Sequence, residues 1–168
     1  MGLKNKIISQ DEQTTVFEVR YKNEIYPALI DTDDFNELPY RSVCVMSKKW
    51  KYLQIWNNGK TKYLHRIIMN TPYSFETDHI NGNVLDNRKS NLRICTHQQN
   101  LWNSGNTHNR KLPKGVRKSS MGKGYEAIID FNHKRYYIGY FHESDVAGEA
   151  YDVFAKNLRG EFYRGETK

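Results

Sequence analysis

Two neighbouring residues in the middle of the chain, Asp78 and His79, carry side chains that can bind a metal ion and move a proton. Asp78 and a later residue, Asn100, offer oxygen ligands alone, which suit Mg²⁺ or Mn²⁺ better than zinc. Neighbouring side chains on a strand point to opposite sides, so His79 stays off the metal and can act as a general base. We therefore expect metal-assisted hydrolysis of a phosphodiester, with the ion stabilising the leaving 3′-oxygen.

Two short strands and a helix are predicted around these residues. Residues 92–94 alternate in polarity as one strand, and residues 78–80 supply its antiparallel partner. A helix is predicted to begin at Thr96, because Thr96 and Gln99 form a T-x-x-Q capping box. Asn100 lies one turn into that helix. This order of elements brings the carboxylate, the imidazole and the amide to one place.

The loop between the two strands is polar. Residues 81–91 are rich in Asn, Asp and Ser. Their side chains must form hydrogen bonds with the loop backbone, because the loop has no β-sheet hydrogen bonds of its own. Asn91 ends this loop and is the predicted clamp that holds it.

The spacing of these residues resembles that of the HNH endonucleases, whose ββα-metal site is also found in the colicin-type nucleases. The pattern is Asp78-His79, eleven residues, Asn91, eight residues and Asn100. The resemblance implies that Asp78 and Asn100 bind the metal, His79 is the base and Asn91 supports the loop. All-histidine members carry a third ligand one helical turn later, where Ser104 stands here. Water-completed coordination of Mg²⁺ is therefore expected.

Three further residues are candidates for additional active-site roles. The run Leu64-His65-Arg66 ahead of the motif resembles phage-type HNH proteins, which implies that His65 or Arg66 lies near the scissile phosphate. Arg93, between Leu92 and Ile94, is the third candidate. A single histidine is more often structural, and that interpretation of His65 stays open.

The first part of the chain is predicted to be mostly strand. Residues 1–15 lack periodicity and are expected to be a frayed lead-in, followed by strands at 16–21 and 25–30. Asp31 is predicted to cap a short helix that Pro39 ends. Four acidic residues there either bind a metal or, as we expect, form a solvated helix start stabilised by the helix dipole: Asp31, Asp33, Asp34 and Glu37.

A hairpin with a short helix is predicted next. Residues 50–56 and 61–64 form its strands, Asn58-Gly59 is a type I′ turn signal, and the helix follows at 65–69. The aromatic and lysine side chains of this region could together contact DNA. The alternative, which we expect, is that the aromatic side chains form the packed face of the hairpin and the lysines its solvated face. The side chains concerned are Trp50, Tyr52, Trp56, Lys48, Lys49, Lys51, Lys60 and Lys62.

A second module is predicted after a linker at 103–111, where the sequence has several breakers and no periodicity. Its three strands are expected at 115–117, 125–130 and 135–141. Ser144 is expected to cap a helix whose apolar stripe packs against the sheet. The stripe consists of Val146, Ala147, Ala150, Tyr151, Phe154 and Leu158.

The other face of this sheet is basic and should attract phosphate groups. Residues 115–117, 136–141 and 150–152 resemble the plant ethylene-response-factor, or Apetala-two, DNA-binding domain over residues 112–163. The resemblance implies a sheet that enters the major groove. The candidate DNA-binding residues are Arg117, Lys118, Lys123, Lys134, Arg135 and Tyr137. Other base-reading positions of that family hold Ser119, Met121, Ala127 and Ile129, so its sequence preference does not transfer. A charged, solvated sheet face is the alternative.

Composition agrees with a polyanionic partner, since the net charge is +7 and the sequence pI is about 9.3. No apolar run approaches the length needed to cross a bilayer, and residues 1–10 lack the core of a signal peptide. Cys44 and Cys95 are expected to be reduced core thiols. We expect an intracellular protein that acts on double-stranded DNA, with no membrane and no protein partner implied.

These observations predict an α+β protein of two modules. Residues 1–102 form an HNH endonuclease domain with N-terminal strands and a hairpin, residues 103–111 a linker, and residues 112–168 a three-stranded antiparallel sheet packed on one helix. The resemblance implies a DNA endonuclease similar to the homing endonucleases of phages and mobile introns. Two alternatives remain: a non-catalytic DNA-binding regulator with an inert HNH fold, and an RNA-binding accessory protein.

Overall fold

The computed structural model describes residues 5–38, 43–45, 52–57, 59–103 and 111–165. The chain divides into two compact units, Met1–Asn100 and Leu101–Lys168, and its architecture is mixed α+β with small antiparallel sheets. Within the described ranges, no helix is long and apolar enough to span a membrane. Predictions for Pro39, Trp50, Asn58, Ser104 and most of the 103–111 linker fall outside these ranges, as do those for Lys48, Lys49 and Lys51.

The first sheet of the first unit has three antiparallel strands in the order β1-β2-β3. They are β1 (Ile7–Gln10), β2 (Thr14–Tyr21) and β3 (Glu24–Asp31), and helix α1 (Thr32–Glu37) follows. The two strands predicted here are confirmed, with wider bounds. The frayed lead-in is wrong for the described residues, because β1 pairs along β2. Its burial pattern is exposed throughout, so hydrogen bonding rather than an apolar face holds it.

A second three-stranded sheet contains the predicted hairpin. Its strands are β4 (Val43–Val45), β5 (Leu53–Asn57) and β6 (Lys60–Tyr63), and helix α2 (Leu64–Ile68) follows directly. Strand alternation buries Leu53 and Ile55, whereas Trp56 is 59% exposed. The expectation that Trp56 belongs to the packed face is therefore wrong, because the small aliphatic residues between the aromatics face the core.

One apolar core joins these two sheets and the two short helices. Aromatic and aliphatic side chains from six elements contribute to it, and the tilted rings of Phe17 and Phe35 lie 5.6 Å apart. The buried members are Phe17, Val19, Ala28, Ile30, Phe35, Leu38, Val43, Val45, Leu53, Ile55 and Leu64. Burial of these side chains is the main source of stability for the scaffold of the first unit.

The acidic start of α1 is solvated only in part, since Asp33 and Glu37 are exposed as expected whereas Asp34 is buried. Asp31 occupies the N-cap position but makes no side-chain cap bond. Its carboxylate instead accepts the backbone N–H of Lys89 at 2.7 Å, and buried Asp34 accepts the Lys89 ammonium at 2.6 Å. These carboxylates attach a distant loop to the first sheet, which is a structural role rather than a metal site.

The remaining elements of the motif region are β7 (Glu76–His79), a 3₁₀ turn (Lys89–Asn91), β8 (Leu92–Cys95) and α3 (His97–Asn103). The predicted order of strand, loop, strand and helix is confirmed. The first strand begins two residues earlier than predicted, at Glu76, and ends at His79.

The second unit consists of β9 (Val116–Lys118), β10 (Tyr125–Phe131), β11 (Lys134–Phe141), α4 (Ser144–Arg159) and a 3₁₀ turn (Gly160–Phe162). The predicted three-stranded antiparallel sheet is confirmed, and its strand order is β11-β10-β9. Asn132 and His133 both adopt positive φ, 50° and 62°, which is the geometry of a type I′ hairpin turn.

Helix α4 covers one face of this sheet. Ala147, Tyr151 and Ala155 are almost fully buried against Ala127 and Ile129 of β10. Two details of the prediction are wrong. Val146 is 46% exposed rather than part of the buried stripe, and the N-cap position belongs to Glu143, which makes no side-chain cap bond, rather than to Ser144.

Candidate active site and nucleic-acid interface

Strands β7 and β8 form a short antiparallel ladder that fixes the site. Glu76 lies opposite Cys95, Asp78 opposite Arg93, and His79 opposite Leu92. Side chains alternate along a strand, so Glu76 and Asp78 share one face while His79 points to the other. The carboxylate and the imidazole of the predicted pair therefore have different surroundings.

Helix α3 begins with the predicted capping box. The Gln99 N–H donates to the Thr96 hydroxyl at 3.2 Å, and the Thr96 N–H donates to the Gln99 side-chain oxygen at 2.8 Å. This reciprocal pair satisfies two N–H groups at the start of the helix and fixes its direction. Asn100, one turn in, reaches β7: its Nδ2 donates to Glu76 Oε2 at 2.6 Å.

Asn91 connects both ends of the loop between the strands. Its side-chain oxygen accepts the Asn81 N–H at 2.9 Å, and its Nδ2 donates to the Asp86 carbonyl at 2.8 Å. Its backbone carbonyl accepts the Ile80 N–H at 2.8 Å. Because Asn91 is only 7% exposed, these bonds are shielded from water. The geometry is that of a residue which holds the loop closed.

The loop is also attached to the first sheet. Leu29 of β3 donates its N–H to the Leu85 carbonyl at 2.9 Å, and its carbonyl accepts the Asn87 N–H at 2.8 Å. These two bonds make Leu29 and Asp86 an isolated parallel bridge. The sheet thus acts as the rigid base on which the loop and its asparagines are positioned.

His79 is 4% exposed and lies among other rings. Its imidazole is edge-on to that of His65 at 5.0 Å and tilted towards Tyr52 at 6.0 Å. Burial lowers the pKa of His79 below its usual value, while a side-chain hydrogen bond with Asn87 partly opposes this effect. At neutral pH the imidazole is therefore unprotonated and able to accept a proton.

His65, one of the additional candidates, is the nearest ring neighbour of His79 among the described residues. Burial, followed by the nearby His79 and Arg66, lowers its pKa to about 3. Tyr63 stacks on it at 5.5 Å and Tyr52 tilts against it at 5.4 Å. His65 thus lies on the base side of the strand pair, as a neutral ring packed against the imidazole of His79.

Arg93 and Asp78 form an ion pair across the ladder. Asp78 Oδ2 accepts the Arg93 Nε–H at 2.9 Å and the Nη2–H at 2.7 Å. The two side chains are 5% and 10% exposed, so the pair is largely desolvated. One oxygen of the predicted metal ligand is therefore already neutralised by a guanidinium group.

Arg66 supports the segment that leads into β7. Its guanidinium donates to the carbonyls of Phe75 at 2.8 Å, Pro72 at 3.1 Å and Thr71 at 3.5 Å. Several of its N–H groups are thus used to hold the backbone before Glu76.

The oxygen ligands fit a hard divalent ion in kind but not as a complete set. Asp78 supplies a carboxylate and Asn100 an amide oxygen, the donors that Mg²⁺ accepts alongside several waters. Among the residues that the structure describes, no group of three or more His, Cys, Asp or Glu side chains could hold a metal ion. Two predicted protein ligands completed by water are the arrangement that these residues can support.

Sequence reasoning missed three residues of this region. Glu76 bonds Asn100, Asn87 bonds His79, and Tyr52 packs on both histidines. The position of Glu76 could have been predicted, because it lies two residues before Asp78 and so shares the same face of the strand. Asn87 and Tyr52 had none, since their contacts depend on how distant segments fold together.

In the second unit, the two candidate arginines are held by carboxylates of their own sheet. Glu126 Oε2 accepts Arg117 Nε at 3.0 Å and Nη2 at 2.8 Å, while Asp130 accepts Arg135 at 2.8 and 3.0 Å. The bonds to Arg117 and Arg135 lower the pKa values of Glu126 and Asp130, respectively. The guanidinium groups of both arginines are thus already hydrogen-bonded to carboxylates on the same face of the sheet.

The other candidates are exposed, but not all of them lie on this face. Lys118 and Lys123 are solvent-accessible, Tyr137 is 59% exposed, and the Lys134 ammonium lies 5.2 Å from the centre of the Tyr136 ring. Tyr137 pairs with Ile128 in the middle of the sheet. Tyr137 shares the outer face of the sheet with Arg117 and Arg135. Lys118 and Lys134 lie on the side of Val116 and Tyr136, which pack against the core under α4, so the prediction that these two lysines belong to the outer face is wrong.

The chain is similar to an HNH endonuclease of viral origin. The relative is an uncharacterized HNH endonuclease, L560, of Acanthamoeba polyphaga mimivirus, and the two sequences are 34% identical over 123 residues. The alignment covers 64% of this chain, and the chain spans 64% of the length of that relative. No family model matches the chain, and no solved structure matches it significantly.

Proposed function

We propose that this chain is a DNA endonuclease of the HNH type, with a ββα-metal site that binds Mg²⁺, or Mn²⁺, through Asp78 and Asn100. The observation that carries the proposal is the buried His79 beside Asp78, on a strand pair followed by a capped helix. Similarity to a protein named as an HNH endonuclease supports the same class.

In this mechanism His79 takes a proton from the attacking water on the ring nitrogen that does not bond Asn87. Burial keeps the imidazole neutral at the start of the reaction, and the attacking water must reach this buried ring when DNA binds. Asn91 holds the loop so that the strand bearing His79 cannot shift. The divalent ion would supply charge stabilisation at the leaving 3′-oxygen. One site per chain nicks one strand, and a double-strand cut needs two events.

The second unit supplies affinity for double-stranded DNA in this proposal, as in the sheet of an ethylene-response-factor-like domain. Tyr137 lies at the centre of the contact face, and Lys118, Lys123 and Lys134 contact phosphates from the strand ends and the loop at its margins. Arg117 and Arg135 can read guanine only after leaving Glu126 and Asp130, so base reading is coupled to the opening of two ion pairs.

The direct test uses the full chain and supercoiled plasmid. Nicked circles should accumulate with Mg²⁺ or Mn²⁺ and should be absent with a chelator. Binding to the plasmid without any metal-dependent cleavage would instead favour the non-catalytic regulator, for which the Asp78 to Arg93 ion pair is the specific structural argument. Stronger competition by single-stranded RNA than by duplex DNA would favour the RNA-binding alternative.

Asp78→Asn should raise the Mg²⁺ concentration needed for half-maximal cleavage by about 10-fold, equivalent to about 1.4 kcal/mol. Asparagine keeps an oxygen for Arg93 but removes the charge that binds the cation. Asp78→Ala is a poorer test, because it leaves a nearly buried guanidinium unpaired and should cost about 3–5 kcal/mol of stability. Mn²⁺, which binds such sites more tightly, should restore part of the rate.

The matched control for this prediction is Asp33→Asn, which removes an exposed carboxylate of α1. Its metal dependence should equal that of the wild type. An unchanged metal requirement in Asp78→Asn would remove Asp78 from the set of ligands.

Asp130→Asn should strengthen DNA binding and steepen its salt dependence by about one unit of slope, because it releases Arg135 for a phosphate. Fluorescence anisotropy with a short duplex at several salt concentrations measures both quantities. Glu149→Gln removes the same charge from the exposed side of α4 and serves as the control. Equal slopes for the two variants would mean that this sheet face does not meet DNA.

A further inference from the structure

Glu76 is the residue that joins the strand pair to the helix in the first unit. It is the first residue of β7 and lies two positions before Asp78, on the same strand face. Its Oε2 accepts Asn100 Nδ2 at 2.6 Å, and its Oε1 lies 2.8 Å from His97 Nδ1. His97 and Asn100 are three residues apart on α3, so one carboxylate spans one turn of the helix.

This contact determines which way the amide of Asn100 points. An ionised carboxylate can only accept hydrogen bonds, so the NH₂ group of Asn100 must face Glu76. The amide oxygen of Asn100 then faces away from Glu76.

The orientation matters because an asparagine binds a cation through its oxygen alone. A flipped amide would present an NH₂ group, which repels a metal ion. Amide rotation about the last side-chain bond is broad and roughly two-fold, so the choice depends on a fixed partner. Within the described part of the chain, Glu76 is the carboxylate that bonds this NH₂ group.

We infer that Glu76 is a positioning residue: it fixes the amide of Asn100 so that Oδ1 is presented to a divalent cation, and it acts on the cation only through Asn100. The inference rests on the proposed function. Direct binding of the ion by Glu76, through lone pairs that Asn100 and His97 do not use, is the competing role.

A double-mutant cycle separates the two roles. Mn²⁺ affinity of the full chain is measured by isothermal titration calorimetry for wild type, Glu76→Ala, Asn100→Ala and the double variant. Loss of a residue that orients a ligand typically weakens metal binding by about 10–100-fold, and we expect that loss for Glu76→Ala in the presence of Asn100. In the Asn100→Ala background the same change should have no further effect.

Two single variants give the matched controls. Glu76→Gln keeps an oxygen that can accept Asn100 Nδ2, so it should retain more of the affinity than Glu76→Ala does. His97→Ala removes the other partner of Glu76 and leaves the Asn100 contact, so its affinity should stay near that of the wild type. Thermal unfolding of each variant reports whether it is folded. Glu76→Met, which keeps the length of the side chain and removes the acceptor, replaces Glu76→Ala in the cycle if the latter does not fold.

A metal-free readout is the side-chain amide of Asn100 in ¹H–¹⁵N NMR spectra, identified by its disappearance in Asn100→Ala. One of its protons should be shifted downfield in the wild type and should return to the position of a free amide in Glu76→Ala. That shift tests the orienting contact itself, without any ion.

The outcomes are distinguishable. If the wild type binds Mn²⁺ and cuts DNA but Glu76→Ala matches it, the positioning role is overturned and the nuclease proposal stands. If Glu76→Ala weakens binding equally with and without Asn100, Glu76 contacts the ion directly and the inference is wrong. If the wild type neither binds Mn²⁺ nor cuts DNA, the proposed function fails and the inference fails with it.

Discussion

Replacing His79 with alanine should lower the rate of metal-dependent DNA cleavage by about 10²–10⁴-fold, the usual contribution of a general base. The imidazole is unprotonated because burial lowers its pKa, and its neighbour Asp78 lies on the opposite strand face. Removal of the ring therefore takes away the proton acceptor without touching the oxygen ligands. Initial rates of plasmid nicking at saturating Mg²⁺ measure the effect.

DNA affinity should change little in the same variant, since the basic surface of the second unit is unaltered. Anisotropy measurements with a duplex, in the presence of a chelator, provide this comparison. His142→Ala, which removes an exposed histidine of the second unit, is the matched control and should nick DNA at the wild-type rate. Undiminished nicking by His79→Ala would eliminate the mechanism proposed here.

The native state should lose stability steeply as the pH falls below about 6.5, mainly because of His65. Its pKa is about 3 in the folded chain, while an unfolded histidine titrates near 6.5. Between these values the unfolded state binds more protons, so the free energy of unfolding falls as the pH falls, by up to about 1.4 kcal/mol per pH unit. Above 6.5 both states are neutral at this residue, and the effect is absent.

His65→Phe should flatten this dependence. The ring is kept and the titration removed, and Nδ1 of His65 has no hydrogen-bond partner among the described residues, so phenylalanine loses no bond at that atom. Urea unfolding at several pH values from 8 to 5 measures the slope for wild type and variant. The pH range from 8 to 5 reports on histidines, because carboxylates with lowered pKa values, such as Glu76 and Glu126, protonate at more acidic pH.

His142→Phe provides the exposed-histidine control for the pH series. Identical slopes for wild type and His65→Phe would mean that His65 is not the source of the acid lability. His79 should contribute in the same direction as His65, since its pKa is also lowered by burial. A residual slope in His65→Phe is therefore expected.

Features decided by local sequence were predictable. The capping box of Thr96 and Gln99 involves residues three apart, and its two bonds form as expected. Alternation of apolar residues likewise located β2, β3, β10 and β11 to within two residues. Such patterns succeed because a helix start or a strand face is defined by near neighbours in the chain.

Features decided by tertiary pairing were not predictable. Strand β1 lacks any apolar periodicity and is recognisable only by its partner β2. Asp31 had the type and position of a cap, yet its carboxylate bonds Lys89, far along the chain. Single-sequence patterns cannot decide between two acceptable partners when one of them is brought in by folding.

The same limit applied to the sites. The residue types at Arg117 and Arg135 suggested free guanidinium groups, whereas strand register places Glu126 and Asp130 directly opposite them. Likewise His65 and His79 are fourteen positions apart, and only the packing of α2 on β7 makes their rings neighbours. The charges and functional groups of these residues could be predicted from the sequence, but the side chains with which they pair in the folded chain could not.

The attachment of the asparagine-rich loop to Leu29 also protects the protein against self-association. Strand β3 ends its sheet, and an uncovered end strand offers N–H and C=O groups to any other extended chain. Here the Leu29 N–H and carbonyl are taken by Leu85 and Asn87. A substitution that releases the loop therefore exposes a strand edge to which another chain can pair. The same substitution should both lower the solubility of the protein and disrupt the candidate active site.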